Sequence, residues 1–351
     1  VSDWQMVLSE NSIAPDMKFL NDATSDYVHR KTPTEDIYFF FNPDTVGKKT
    51  ITAQFRVADK IPELWNPMTG SIRKQGQFTH DNGTTATSIQ LNAGESVFVV
   101  FREASNMEAK AKTSPKDIHL KLSEENILKA EALQNGTYSV PLTSGKTWDF
   151  EITDIPEPKN ISKNWNVTFQ KQMGYGGTVA LDSLVDWSKH PKDSIKYYSG
   201  TARYQKTIIL NDQQLKEDIK VQLDLGKVNI VAEVIINGKK VAVSWMPPFE
   251  VDITDFVNTG ENRIEVLLTN QWSNRLIGDE RYPANDDGYQ LGPHRATDLT
   301  MPAWYTNNEP RPTGKRTTFT TSPFYKKDDP LMPSGLLGPV QLKFSKIISR
   351  Y

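Results

Sequence analysis

"EVIINGKKVAVSWMPPFEVDIT", residues 233–254, is the stretch on which the reading of the fold turns. Asn237-Gly238 fits the two positive-φ positions of a type I′ turn, whose twist suits antiparallel strands. Alternation then predicts Val234 and Ile236 on one face, joined after the turn by Val241, Val243 and Trp245. The opposite face mixes Glu233 and Ile235 with Lys240, Ala242 and Ser244. Such a ribbon covers a core with one side, and it is marginal alone in water. Further strands must come from elsewhere in the chain.

They are abundant. "DIYFFFN" (36–42), "KTITAQFRV" (49–57), "TSIQLN" (87–92) and "ESVFVVFRE" (95–103) are short and rich in aromatic and β-branched residues. "ELWNPMTGSI" (63–72) reads as a strand, a turn and a return. These predict a β-sandwich over residues 1–105. Residues 106–159 read as a polar linker and a small β segment; "LSEENILKAEAL" (122–133) suits a short amphipathic helix or strands, and strands are preferred. Residues 160–351 carry "NWNVTFQ", "ARYQKTIIL", "DIKVQLDLG", the hairpin, "FEVDIT" and "NRIEVLLTNQW", spaced for a second, jelly-roll-like sandwich. In the last of these, both alternating sets are apolar enough to predict burial on both faces. A long loop follows (281–335); nine of the 21 prolines lie between Pro283 and Pro339, interleaved with aromatics. The aromatics favour an ordered excursion over disorder.

Composition excludes several classes. With 41 basic and 43 acidic residues interspersed, there is no electrostatic footprint for nucleic acid. No apolar run approaches the roughly 18 residues of a membrane span. The absence of cysteine rules out disulfides and thiolate metal sites. Five scattered histidines show no metal-ligand spacing, and no nucleophile elbow, phosphate loop or HExxH occurs. The opening residues contain no signal-peptide pattern, so the chain is expected to start mid-protein or after processing.

Six of the eight tryptophans follow residue 140. An exposed indole suits the apolar C–H face of a pyranose, whereas Trp165 and Trp187 read better as sandwich core. Trp272, in "TNQWSNRLIGDE", reads equally as a binding or a packing residue. Asn270, Asn274, Arg275 and Asp279 would supply polar groups beside it, with Trp304 a further aromatic; Arg275 reads alternatively as an ion-pairing clamp. His29-Arg30 form a second candidate group, which as a bare pair is more often structural. Acidic pairs such as Asp279-Glu280 and Asp286-Asp287 arise by chance among 43 acids and define no catalytic pair.

Taken together, "HRKTPTEDIYFFFN", "PELWNPMTGSI", "GESVFVVFRE", "IKYYSGTARYQKTI", "LDLGKVNIVAEVIINGKKVAVSWMPPFEVDIT", "NRIEVLLTNQWSNRLIGDE" and "PLMPSGLLGPV" resemble the C-terminal part of bacterial α-L-rhamnosidases of glycoside hydrolase family 106. From "YYSGTARYQKT" onward the chain is similar to the galactose-binding-like, sugar-binding jelly roll of family 2 enzymes. The resemblance implies an all-β chain of two or three sandwich modules and a saccharide ligand. In that family two glutamates on an N-terminal (β/α)8 barrel do the chemistry; no run of eight strand–helix units appears here, so no catalytic residue is carried over. The implied partner is that N-terminal module, and the implied setting is periplasmic or extracellular. No cofactor is required, although calcium on the jelly roll is common in such folds. A free-standing carbohydrate-binding protein and a structural adhesion module are the alternatives.

Overall fold

The computed structural model describes residues 3–350 other than 12, 23–24, 45, 106–109, 172–174, 283–300, 302, 311–314 and 319–323. The chain divides into two units. One comprises residues 1–157, 216–221 and 344–351, the other residues 158–215 and 222–343.

In the first unit, alternating apolar residues build short strands: β1 (Met17–Phe19), β2 (Tyr27–Lys31), β3 (Asp36–Phe41), β4 (Lys49–Phe55), β5 (Lys60–Trp65), β6 (Ile72–Gln75) and β7 (Phe78–Asp81). They continue as β8 (Thr84–Leu91), β9 (Ser96–Ala104), β10 (Ile118–Leu122), β11 (Leu128–Ala132), β12 (Gly136–Pro141) and β13 (Thr147–Ile152). One sheet has the order β1-β4-β8-β7, while β2-β3-β9-β5-β6-β10-β11 run side by side through another. Ile51, Ala53 and Phe55 of β4 and Ile89 of β8 pack with Tyr38, Phe40, Val99 and Phe101 in one buried cluster. Full burial of such a side chain stabilises by about 1.5–3 kcal/mol, so this cluster is what holds the two sheets face to face.

Between β6 and β7 the chain passes from the long sheet to the short one. Gly76 stands at that crossing, where an added Cβ would lie 2.8 Å from the Leu120 carbonyl carbon and the Lys121 nitrogen. Residues 122–133 are strand, turn and strand, as preferred from the sequence. The described part of the expected linker is bonded into this unit, with Ala111 bridging to Gln77 and Leu142.

The second unit contains β14 (Lys159–Asn160), β15 (Lys163–Phe169), β16 (Gly177–Ser183), β17 (Thr201–Leu210), part of β18 (Ile219–Asp224), β19 (Lys227–Asn229) and β20 (Val231–Ile236). It is completed by β21 (Lys239–Ser244), β22 (Glu250–Asp252), β23 (Gly260–Thr269), β24 (Gly335–Gly338) and the start of β25 (Gln341–Ser349). Its main sheet has the order β16-β15-β17-β23-β20-β21, with antiparallel ladders throughout. The described strands of the chain close no (β/α)8 barrel, and the fold is all-β sandwich as expected.

Trp165 and Trp187 are core, with 1% of each surface exposed. The Trp187 indole N–H donates to Tyr204 Oη at 2.8 Å, and the same oxygen accepts the Leu336 N–H at 3.2 Å. Burial pushes the Tyr204 phenol well above its ordinary range. Gly335 lies under this indole at φ +107°, and a Cβ would meet Trp187 Nε1 at 2.9 Å.

Two expectations need correction. In β23, Asn262, Ile264, Val266 and Leu268 are buried, but Leu267 is half-buried and Thr269 exposed. The buried residue on that second face is Glu265, held by Arg203 at 2.7 Å, Gln205 at 3.1 Å and Arg263 at 3.2 Å. The hairpin also differs. Asn237 and Gly238 have φ of 51° and 81°, as the type I′ turn requires. However, the register shifts between Val234 and Ile235, so Val234 opposes Ala242 and Glu233 opposes Val243. One extra residue in β21 sends Val243 and the following Trp245 outward, where they are 44% and 55% exposed. Part of the long loop, including residues 283–300, lies outside the described residues.

Gly335→Ala is expected to cost about 2–3 kcal/mol in urea unfolding, from the left-handed backbone and the clash with a rigid ring. Gly238→Ala, with open space around it, should cost only about 1 kcal/mol.

Candidate functional site

At the end of β23 the sheet gives way to a short helix, Ser273–Asp279. The side chains gathered there act as substitutes for missing strand partners. Asn270 is buried; its Oδ1 accepts the Gly200 N–H at 2.8 Å and its amide donates to Tyr198 O at 2.9 Å and Ser334 Oγ at 3.2 Å. Asn274, fully buried, donates to Met332 O at 2.7 Å and accepts the Met332 N–H at 2.8 Å. It also reaches Ser334 Oγ at 3.1 Å. One side chain thus reproduces both bonds of a strand ladder, its carboxamide presenting a donor and an acceptor on separate atoms.

Arg275 and Asp279 form a buried ion pair one helical turn apart, with Nη2 2.8 Å from Oδ1. The pair is close but lacks hydrogen-bond alignment, and Arg275 Nε and Asp279 Oδ1 have no hydrogen-bond partner among the described residues. The other Asp279 oxygen accepts the N–H groups of Thr317 at 3.0 Å and Thr318 at 2.6 Å, and the Thr318 hydroxyl at 2.6 Å. Arg316 pairs with Glu280 at 3.3 Å. Asp279 and Glu280 therefore fasten residues 316–318 to the helix, whereas Asp286 and Asp287 lie outside the described residues.

Trp272 differs from its neighbours. It is 50% exposed, and its carbonyl accepts the Arg275 and Leu276 N–H groups that begin the helix. Its backbone is fixed while its indole faces solvent. Trp304 sits on a one-turn helix, Ala303–Thr306, edge-on to Tyr305 at 6.0 Å. The structure thus joins Asn270 to Asn274 through Ser334 and Arg275 to Asp279, while the indole of the intervening Trp272 stays exposed.

His29 and Arg30 belong to the first unit. The His29 ring lies between two carboxylates, with Nδ1 2.8 Å from Asp16 and Nε2 3.2 Å from Asp36, and it stacks on Tyr38 at 4.0 Å. It can donate to both acids only as imidazolium. Burial disfavours the Asp16 charge, but hydrogen bonds from Tyr27 and His29 outweigh it and hold the carboxyl below its usual range. Burial and that same bond push the Tyr27 phenol up to about 12. Arg30 is exposed and bonds the His29 carbonyl at 3.1 Å. Among the described residues no three His, Asp or Glu side chains gather as cation ligands, and no helix is long and apolar enough to cross a membrane. Sequence reasoning missed a polar cleft in the first unit, whose lining is scattered over residues 48–133. Its only signal is the alternation of polar residues on the outer face of strands, which any solvated sheet shows.

Asn274→Ala is expected to cost about 2–3 kcal/mol by calorimetry, since two backbone groups at Met332 lose their partners, whereas Trp272→Ala should shift stability by less than about 0.5 kcal/mol. For Asp16 the folded carboxyl titrates below its unfolded value of about 4, so its contribution is complete above that pH and fades as pH falls through the folded value. Asp16→Asn should therefore destabilise by about 1–2 kcal/mol at pH 7, with the gap from wild type narrowing in acid unfolding as pH falls below about 4.

Comparison with known proteins gives this geometry a context. Residues 1–80 match glycoside hydrolase family 106, described as α-L-rhamnosidase, and residues 132–301 match the sugar-binding domain of glycosyl hydrolases family 2. A curated protein of Formosa agariphila, provisionally named a β-glucuronidase, is 33% identical over 95% of this chain. The solved structure of a rhamnosidase from Novosphingobium sp. PP1Y superposes over 98% of the chain, with TM-score 0.71 and 28% identity. The chain spans 29% of the length of the first and 26% of the second. It is thus a glycoside-hydrolase-related chain, similar to the family 106 α-L-rhamnosidases at its start and to the sugar-binding domain of family 2 over residues 132–301.

Proposed function

We propose that this chain is the accessory, saccharide-binding portion of a rhamnosidase-like glycoside hydrolase, acting beside a catalytic module rather than as one. The observation that carries this reading is the match of almost the whole chain to about a quarter of a rhamnosidase structure. The internal bonding of Asp279 and Glu280 supports it, because acids tied to backbone amides and an arginine are unsuited to exchanging protons with a glycosidic oxygen. Trp272 is the stacking face. Asn270, Asn274, Arg275 and Asp279 keep its backbone in place, and Trp304 is an accessory aromatic on the same unit. His29 and Arg30 present a charged edge for the catalytic module. The setting is an exported, polysaccharide-degrading one, and any calcium serves the jelly roll rather than the chemistry.

A second reading has one observation in its favour. The Formosa agariphila relative carries a β-glucuronidase name, so the attached chemistry is then glucuronide rather than rhamnoside cleavage. A free-standing carbohydrate-binding protein would share the Trp272 site with either.

The purified chain is expected to release no nitrophenol from aryl α-L-rhamnosides or aryl β-glucuronides. Turnover abolished by a single carboxylate substitution would falsify the accessory role. On a glycan array, Trp272→Ala should weaken saccharide binding roughly fivefold, the equivalent of about 1 kcal/mol of stacking. Unchanged binding removes Trp272 from the site.

A further inference from the structure

The first unit holds a cleft of about 650 Å³, within the range of small-molecule sites. Strand periodicity builds it. Arg73 and Gln75 alternate along β6 and Ser88 and Gln90 along β8, while Gln77 follows β6 past Gly76 and Asn92 stands just after β8. Thr50 enters from β4 and Lys48 from just before it, and residues 114–120 close one side. Thr50, Ser88 and Gln90 lie on the outer face of the β4–β8 pair, opposite the packed residues Ile51 and Ile89. Polar side chains held on rigid strands make a better-defined surface than the same groups on a loop.

The charges in the cleft are unequally committed. Arg73, Lys48 and Lys116 enter no ion pair among the described residues. The acids near Arg73 are already occupied. Glu95 Oε2 takes the Asn92 N–H at 2.7 Å and the Asn92 amide at 2.8 Å. Glu131 is held by Lys121 at 3.0 Å and by the Ser345 hydroxyl at 2.8 Å. Asp117 is the remaining acid of the lining. The Arg73 guanidinium is reachable by water yet closely surrounded by protein. That crowding lowers its pKa, with Glu131 and Glu95 opposing. Burial also lowers His119, aided by the nearby positive charges of Arg73 and Lys48. The Arg73 fork of five N–H donors stands exposed in the lining of the cleft with no anion among the described residues.

We propose that this cleft binds an acidic saccharide unit, its carboxylate or sulfate on Arg73 and Lys48 and its hydroxyls on Gln77, Gln90 and Thr50. Arginine takes such anions bidentately, which fixes the orientation of the ring. Pro115 and Leu133 supply the apolar surface for the C–H face of the sugar. The cleft goes beyond the Trp272 site, resting on the accessory reading only for the saccharide class of its ligand.

The test is calorimetric titration of the full chain with methyl β-D-glucuronide, the 6-sulfate of methyl β-D-glucoside, neutral methyl β-D-glucoside and sodium sulfate. Both anionic glycosides should bind at least roughly fivefold more tightly than the neutral one, and Arg73→Gln should remove about tenfold of affinity for them. Melting should be unchanged in that variant; if it does not fold, Lys48→Gln and Gln90→Ala carry the test, each expected to weaken the anionic glycosides. Equal binding of the neutral glycoside, sulfate binding as tightly as the glycosides, or no binding of any probe up to about 10 mM would each overturn the proposal. Trp272→Ala separates the two sites. If it abolishes binding of the anionic glycosides while Arg73→Gln leaves it intact, the cleft fails and the Trp272 reading survives; the reverse pattern leaves the cleft and removes Trp272.

Discussion

The second unit depends on two buried asparagines that act as backbone. Where β23 ends, Asn270 and Asn274 take over the hydrogen bonds that a continuing strand would make, gathering Gly200, Met332 and Ser334 around one point. An unpaired buried amide or carbonyl costs about 1–3 kcal/mol, so each of these side chains offsets a penalty at two or three groups together. Because residues 332–334 are fixed there, Gly335 can lie flat under Trp187 and β24 can enter beside β19. The aromatic core and the polar knot are therefore two ends of the same short segment.

That arrangement explains how function and stability are divided along "TNQWSNRLIGDE". Asn270, Asn274, Arg275 and Asp279 face inward, while Trp272 alone among the singled-out residues of this stretch turns its ring to solvent. A stacking surface gains from a backbone that cannot yield, because less freedom is lost when a ligand arrives. The first unit follows a different plan, in which a flat apolar inner face leaves its outer face available for polar groups at regular spacing.

Much of the fold was legible in the sequence. Asn237-Gly238 announced its turn, and the aromatic and β-branched runs announced β3, β4, β8 and β9, because local geometry and burial agree in them. The strands at 118–132 were harder, since alanine, lysine and glutamate suit helices as well. The site was legible only in part. Polar residues near Trp272 suggest ligand contacts when read in one dimension, but their partners at 317–318 and 332–334 are about forty to sixty positions away in the chain. The same is true of the cleft, where Arg73 and His119 stand on the paired strands β6 and β10 and Ser88 comes from the other sheet.

The shifted register of the hairpin has a consequence for self-association. β21 is the last strand of its sheet among the described residues, and its outer edge of backbone donors and acceptors pairs with no described strand. Such an edge invites a second chain to add a strand, and proteins that stay dispersed deform it or charge it. Here the supernumerary residue distorts the strand just where Lys239 and Lys240 enter it. The same irregularity that turns an indole outward thus keeps that border from serving as a template for aggregation.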